Sequence, residues 1–170
     1  MKGYVQIYTG NGKGKTTAAL GLSLRAVCAG KRVFFGQFVK GMKYSELKAA
    51  ELLNTFEMKQ YGRNCFIRND PEEEDISLAR EGLKELHEKI KSGDYDVVVM
   101  DELTIALFYK LFHVEDVLKI LQEKNEKTEV IITGRYAPEE LIKVADLVTE
   151  MQEIKHYYQQ GVQAREGIEK

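Results

Sequence analysis

The sequence predicts an α/β fold, with helices on both faces of a mostly parallel central sheet, in three layers. Three observations predict it. Apolar runs such as Val33-Phe34-Phe35 and Val97-Val98-Val99-Met100 lack the alternation of half-solvated strands, so they read as strands buried on both faces. Stretches of helical spacing separate the runs, as in βαβ units. The first strand leads into a glycine-rich loop that opens a helix.

That loop is Thr9-Gly10-Asn11-Gly12-Lys13-Gly14-Lys15-Thr16-Thr17. It matches the P-loop pattern G-x-x-x-x-G-K-[ST], except that Thr9 stands at the first glycine and Gly10 and Gly12 supply the flexibility. Glycines let successive backbone N–H groups converge on phosphate oxygens, and the helix behind them points its positive end at the same place. Lys15 is placed to reach the phosphates and the Thr16 hydroxyl to sit on Mg²⁺. The alternative is a plain turn rich in glycine and lysine; Gly14-Lys15-Thr16 at a helix start favours phosphate. The fold expected is therefore a P-loop NTPase of RecA-like type, and the ligand a nucleoside triphosphate. The loop does not say which bond is broken.

The elements follow in order. Tyr4 to Tyr8 is the first strand and Thr16 to Ala29 the first helix, apolar on most faces and ended by Gly30. Arg32 to Phe38 is the second strand. Lys40, just past its end, is a candidate second cation for the ligand or a solvated loop lysine. Ser45 to Leu53 reads as a short helix capped by Ser45, and Thr55 to Lys59 as an extended piece. The acidic run Asp70 to Asp75 suits a helix N-terminus better than a metal, with Pro71 in the first turn. That helix runs to Lys91. Tyr95 to Glu102 is a buried strand ending in Asp101-Glu102, the Walker B pattern that reaches Mg²⁺ or its waters; the alternative is a helix cap. A helix follows at Leu103 to Leu111, and another around Val114 to Leu121. Glu129 to Thr133 is a strand ending in Gly134-Arg135, and Arg135 can bind phosphate bidentately or pair with a surface carboxylate. Pro138 to Val144 is a helix and Leu147 to Met151 the last strand. The tail, residues 152–170, has little periodicity and frays unless it folds over a site.

Length and composition set bounds. A chain of 170 residues implies one domain, 1–170. A formal net charge of -2 with both signs dispersed does not favour a nucleic-acid partner. No run approaches the roughly 18 apolar residues of a membrane span. The start, Met1 to Val5, enters a strand at once, which leads us to expect a cytoplasmic protein without a signal peptide. Cys28 and Cys65 are too separated for a zinc or redox motif, and Cys28 is expected in the core on the apolar face of the first helix. The three histidines are scattered, against a His-based metal site.

The segments TGNGKGKTTAALG, GQFVKG, VVVMDELT, VIITGR and ADLVTEM, with Lys155-His156 and the closing Gly167-Ile168-Glu169, resemble the P-loop type of ATP:corrinoid adenosyltransferase, in order from Val5 to Glu169. Thr9 in the first glycine position is also that family's residue. The resemblance implies that a cobalt(I) corrinoid attacks the 5′ carbon of ATP and tripolyphosphate leaves, in cobalamin synthesis and salvage. It implies that Thr9, Gly10, Asn11, Gly12, Lys13, Gly14, Lys15, Thr16 and Thr17 hold ATP, with Lys40 and Arg135 as further contacts. Lys15, Thr16 and Glu102 carry the catalytic roles. Thr16 and Glu102 hold Mg²⁺, with Asp101 beside them. The implied partners are ATP, a reduced corrinoid, an electron donor such as a flavoprotein, and a second copy in a homodimer.

Two departures stand out. Family members often carry an N-terminal extension that helps cover the site; here the first strand begins at Tyr4, so a different closure is expected. The family's Gly-Phe-Thr-Trp-like stretch near the corrinoid lower face reads Gly62-Arg63-Asn64-Cys65-Phe66-Ile67 here, and Phe66 is the substitute contact. The competing readings are a RecA-like ATPase or small-molecule kinase, and a non-catalytic ATP-binding corrinoid carrier or regulator.

Overall fold

A computed structural model describes residues 2–64, 67 and 70–170. The strands are β1 (Val5–Thr9), β2 (Val33–Phe38), β3 (Phe56–Tyr61), β4 (Val97–Asp101), β5 (Glu129–Thr133) and β6 (Leu147–Glu150). The α-helices are α1 (Lys15–Cys28), α2 (Ala49–Leu52), α3 (Glu73–Ser92), α4 (Leu103–Phe108), α5 (Val114–Gln122) and α6 (Glu139–Val144), with 3-10 turns at Ser45–Lys48 and Tyr157–Gln160.

The strands form one sheet in the order β3-β2-β4-β5-β1-β6, and every pair is parallel. Parallel strands need crossovers, so each face must be covered by helices. Side chains alternate between two cores. Val98, Met100, Val130 and Ile132 face one core with Leu83, Leu86 and Ile90 of α3. Val97, Val99 and Ile131 face the other with Ala19 and Ala26 of α1. Neither face of the central strands meets water, which is why their sequences are apolar runs. The result is the three-layer α/β architecture of P-loop NTPases.

Local chemistry sets the helix ends. Glu72 caps α3, with its backbone N–H donating to Asp75 Oδ2 at 2.9 Å. Arg63 grips the same carboxylate with Nε to Oδ1 at 2.7 Å and Nη2 to Oδ2 at 2.8 Å. This holds the Asp75 carboxyl below its usual range. The acidic run thus enters a helix N-terminus. Pro71 lies before the cap, not in the first turn.

Three further expectations need correction. Cys28 is exposed, because the buried stripe of α1 is Lys15, Ala19, Ser23 and Ala26 and the last turn rolls Cys28 out of it. Ser45 opens a 3-10 turn instead of capping a helix, and its hydroxyl donates to the Lys170 carbonyl at 3.0 Å. The segment 45–53 is a 3-10 turn followed by a single α turn, since it has no fully buried residue to support a longer helix.

The strands are apolar until their carboxyl ends. There Gln37, Asp101 and Thr133 are fully buried and Thr9 nearly so. Buried polar groups must be hydrogen-bonded to one another, which draws attention to this edge of the sheet.

Gly82 of α3 lies against the Tyr61 ring, and an added Cβ would come within 2.7 Å of Cδ1. Gly82→Ala should therefore cost about 1–3 kcal/mol through overpacking. Denaturant unfolding measures it; an unchanged midpoint would mean that α3 and β3 can separate freely.

Candidate active site

Chain exits at the carboxyl edge build the site. From β1 and β2 the chain turns toward the α1 face, and from β4 and β5 toward the opposite face. Opposed exits leave a crevice, the place where open α/β sheets bind ligands.

The glycine loop spans β1 and α1. Gly10 and Gly14 have φ of 95° and 119°, which only glycine adopts without strain. The loop is braced from behind: Gly12 N–H donates to Met151 O at 2.7 Å, and Met151 N–H to Thr9 O at 2.8 Å. Gly14 is the N-cap of α1 and supplies no side-chain cap, so the helix end keeps N–H groups for an anion.

Lys15 is 8% exposed and its Nζ donates to Gly10 O at 2.8 Å and Gly12 O at 2.7 Å. Burial lowers its pKa, more than the charges of Glu102 and Asp101 raise it. Asp101 is fully buried and accepts four hydrogen bonds. Oδ1 takes Thr16 Oγ1 at 2.8 Å and Thr133 Oγ1 at 2.6 Å. Oδ2 takes Lys40 Nζ at 3.0 Å and Gln37 Nε2 at 3.1 Å. Burial would lower the Lys40 pKa, but Asp101, Glu102 and Glu46 together hold it above its ordinary value.

Glu102 has φ of 57° and no capping hydrogen bond to α4. Its backbone N–H donates to Thr133 Oγ1 at 3.0 Å. Burial, then the neighbouring Asp101 charge, raises its carboxyl, and Lys40, Lys15 and Arg135 oppose this.

Thr16 and Glu102 bring a hydroxyl and a carboxylate oxygen to the crevice, the donor types that a hard cation takes. Thr16 donates its hydroxyl hydrogen bond to Asp101; its oxygen accepts a long bond from Lys40 Nζ at 3.5 Å and keeps a lone pair for a cation. No group of three or more His, Cys, Asp or Glu able to hold a metal occurs among the described residues. A hard cation here would draw its remaining oxygens from ligand phosphates and water, as Mg²⁺ commonly does.

Two cavities meet at this edge. The first, about 630 Å³, is lined by the loop from Lys13 to Thr17 and by the tail segment 167–170. Lys13 Nζ donates to Glu169 Oε1 at 2.9 Å and to Tyr157 OH at 3.1 Å, and Tyr157 OH also donates to Glu169. Arg165 pairs with Glu169 at 3.1 Å. Arg165, Tyr157 and Lys13 together hold the Glu169 carboxyl far below the usual range.

The second cavity, about 410 Å³, has an aromatic and aliphatic wall of Ile67, Ile105, Phe108, Tyr109 and Tyr136, faced by the charged side chains of Lys40, Glu102 and Arg135. Phe108 and Tyr136 are 57% and 56% exposed, with ring centroids 4.7 Å apart. Val39, Glu102 and Tyr136 line it in left-handed backbone conformations. Such strain in non-glycine residues concentrates at functional sites. Lys40, Tyr44 and Glu102 line both cavities.

Lys15, Thr16, Asp101, Glu102 and Lys40 thus converge, and Thr17 lines the first cavity with them. Thr9 is buried at the loop's start and Asn11 is exposed on it. Arg135 lines the second cavity, and its charge reaches both Lys15 of the glycine loop and Glu102. Phe66 lies outside the described residues. Sequence reasoning missed Tyr44, Phe108 and Tyr136. The one available signal was position: Tyr136 follows a strand-end loop, where binding residues are often found.

The family model for the ATP:corrinoid adenosyltransferase BtuR/CobO/CobP matches residues 1–169. The corrinoid adenosyltransferase of Sinorhizobium sp is 35% identical over 172 residues, covering 99% of this chain and 80% of the relative. That of Escherichia coli (strain K12) is 35% identical over 170 residues, covering 99% and 86%. Corrinoid adenosyltransferase CobA of Salmonella typhimurium is 34% identical over 168 residues, covering 99% and 86%. With its glycine loop, buried carboxylate and two adjoining cavities in place, the chain belongs to the ATP:corrinoid adenosyltransferase family.

Proposed function

We propose that the chain transfers the 5′-deoxyadenosyl group of ATP to the cobalt(I) of a reduced corrinoid. The observation that carries this reading is the shared wall of Lys40, Tyr44 and Glu102 between a phosphate-type cavity and an aromatic one. A hydrolase needs a water beside its phosphates. A transferase needs a second substrate held against the first. The aromatic cavity suits the flat, largely apolar face of a macrocycle.

In the reaction, cobalt(I) donates an electron pair to the 5′ carbon and a cobalt–carbon bond forms. The carbon–oxygen bond breaks, and its electron pair leaves with tripolyphosphate. The metal nucleophile is already electron-rich, so no general base is required. What the protein must supply is stabilisation of charge on the leaving group. The loop N–H groups and Lys15 serve the phosphate oxygens, with Lys13 at the mouth. Mg²⁺, when bound, neutralises part of the same charge; Thr16 and Glu102 would hold it, and Asp101 fixes the Thr16 hydroxyl. Lys40 balances the two carboxylates before ligand arrives. Arg135, at the aromatic cavity, faces the corrinoid side.

The tail, residues 152–170, closes the ATP cavity through the Lys13, Tyr157 and Glu169 contacts. A second copy of the chain covers the exposed β6 edge, where Leu147 and Val148 are open to solvent. Among the described residues no helix is long and apolar enough to cross a membrane. The need for ATP and for a strong reductant, such as a reduced flavoprotein, supports a cytoplasmic setting for the reaction.

Anaerobic mixing of the protein with Mg-ATP and chemically reduced cobalamin should give the light-sensitive alkyl-cobalt spectrum together with tripolyphosphate. ADP and phosphate without alkyl-cobalt would make it an ATPase or kinase; binding without turnover would make it a carrier or regulator. Lys15→Ala should lower kcat/KM for ATP by at least about 10²-fold, the scale of losing one preorganised charge-stabilising group. Phe108→Ala and Tyr136→Ala should each raise the corrinoid KM by about tenfold, roughly 1.4 kcal/mol, with the ATP KM little changed. A change confined to ATP would move the corrinoid out of the aromatic cavity.

A further inference from the structure

We infer that Gln37, held by Gln60, is a positioning residue that fixes the Asp101 carboxylate and through it the Thr16 hydroxyl that faces Mg²⁺. Strand β2 is fully buried along its length, and Gln37 is its one polar side chain. A buried carboxamide is costly unless it is hydrogen-bonded, so its place in an apolar strand calls for partners. The register supplies them: Gln37 lies opposite Gln60 on β3 and opposite Asp101 on β4.

The carboxamide is used at both ends. Nε2 donates to Asp101 Oδ2 and to Glu46 Oε1, each at 3.1 Å. Oε1 accepts from Gln60 Nε2 at 3.1 Å. The chemistry settles which way the amide points. The flipped amide would aim its oxygen at two carboxylates and its N–H groups at another N–H donor. Gln60 Nε2 also donates to Met42 O at 3.1 Å, so it anchors the loop that carries Tyr44 and Glu46.

An amide suits this position because it bridges two carboxylates without adding charge. Its bonds keep Oδ2 turned toward Gln37 and Lys40. Oδ1 then stays with Thr16 and Thr133. The Thr16 proton therefore points inward to Asp101, one lone pair faces Lys40 Nζ at 3.5 Å, and the other is left for a cation. Neither glutamine lines either cavity at the crevice, so each acts through Asp101. The role rests on the Mg-ATP reading above.

The test is equilibrium calorimetry with adenosine 5′-(β,γ-imido)triphosphate over a range of Mg²⁺ concentrations. It compares the wild type with Gln37→Met, close in volume and without donors, and with Gln60→Met. Gln37→Met should raise the Mg²⁺ concentration for half-maximal binding about tenfold, the scale for losing a partner of a metal-ligand network. Metal-free affinity should stay within about twofold of the wild type, because the loop N–H groups and Lys15 are untouched. Gln60→Met should shift the Mg²⁺ midpoint in the same direction by a smaller factor. A wild-type midpoint in Gln37→Met, or equal losses with and without Mg²⁺, would reduce Gln37 to core packing. Should Gln37→Met not fold, the partly exposed Gln60 decides: an unmoved midpoint in Gln60→Met overturns the inference. Wild-type binding that ignores Mg²⁺ would instead remove the Mg-ATP reading, and this role with it.

Discussion

A carboxylate buried without compensation is among the costliest things a fold can contain, and Asp101 is buried completely at the end of a central strand. Its four hydrogen bonds come from four different parts of the chain: α1 through Thr16, β2 through Gln37, the loop after β2 through Lys40, and β5 through Thr133. Removing one partner of such a buried pair typically costs about 3–5 kcal/mol, because the other charge is left without compensation. The need to satisfy one charge thus fixes the relative positions of the elements that form the crevice.

The same constraint arranges the chemistry. Because Asp101 is occupied by donors, Glu102 is the carboxylate left facing the cavities, its backbone turned left-handed by the sharp exit from β4. Lys40 balances the pair, so the shared wall between the two cavities carries both signs. A site of this kind can hold a polyphosphate on one side and a macrocycle on the other. That arrangement matches a reaction whose nucleophile arrives on the second substrate.

The tail adds a different kind of contact. Lys13 belongs to the glycine loop, yet its ammonium is bound by Tyr157 and Glu169, from 144 and 156 positions further along the chain. Ser45 ties the same segment down, and the Arg165–Glu169 pair braces it from within. These interactions are polar and lie near the surface, so each contributes modestly and salt weakens it. A segment held this way can open for ligand at lower cost than one held by a core.

The sequence by itself determined the strand–loop–helix around Lys15, the Asp101-Glu102 strand end and the parallel sheet. Each rests on local chemistry: glycine at left-handed positions, a lysine and threonine at a helix start, and apolar runs that cannot face water. Glu129–Thr133 is read from sequence with the same bounds that the structure has. Only the tertiary structure decided that Cys28 is exposed, because one helix turn moves a residue off a buried stripe and periodicity near a helix end is ambiguous. Only the tertiary structure joined Gln60, Gln37, Asp101 and Thr133 into one row, since strand order and register are non-local. It also brought Phe108 and Tyr136 together across 28 positions, the arithmetic difference of their numbers, to make a wall that neither local sequence announces. A side chain's partners across a sheet depend on which strands pair, and that choice belongs to the packing of the whole chain.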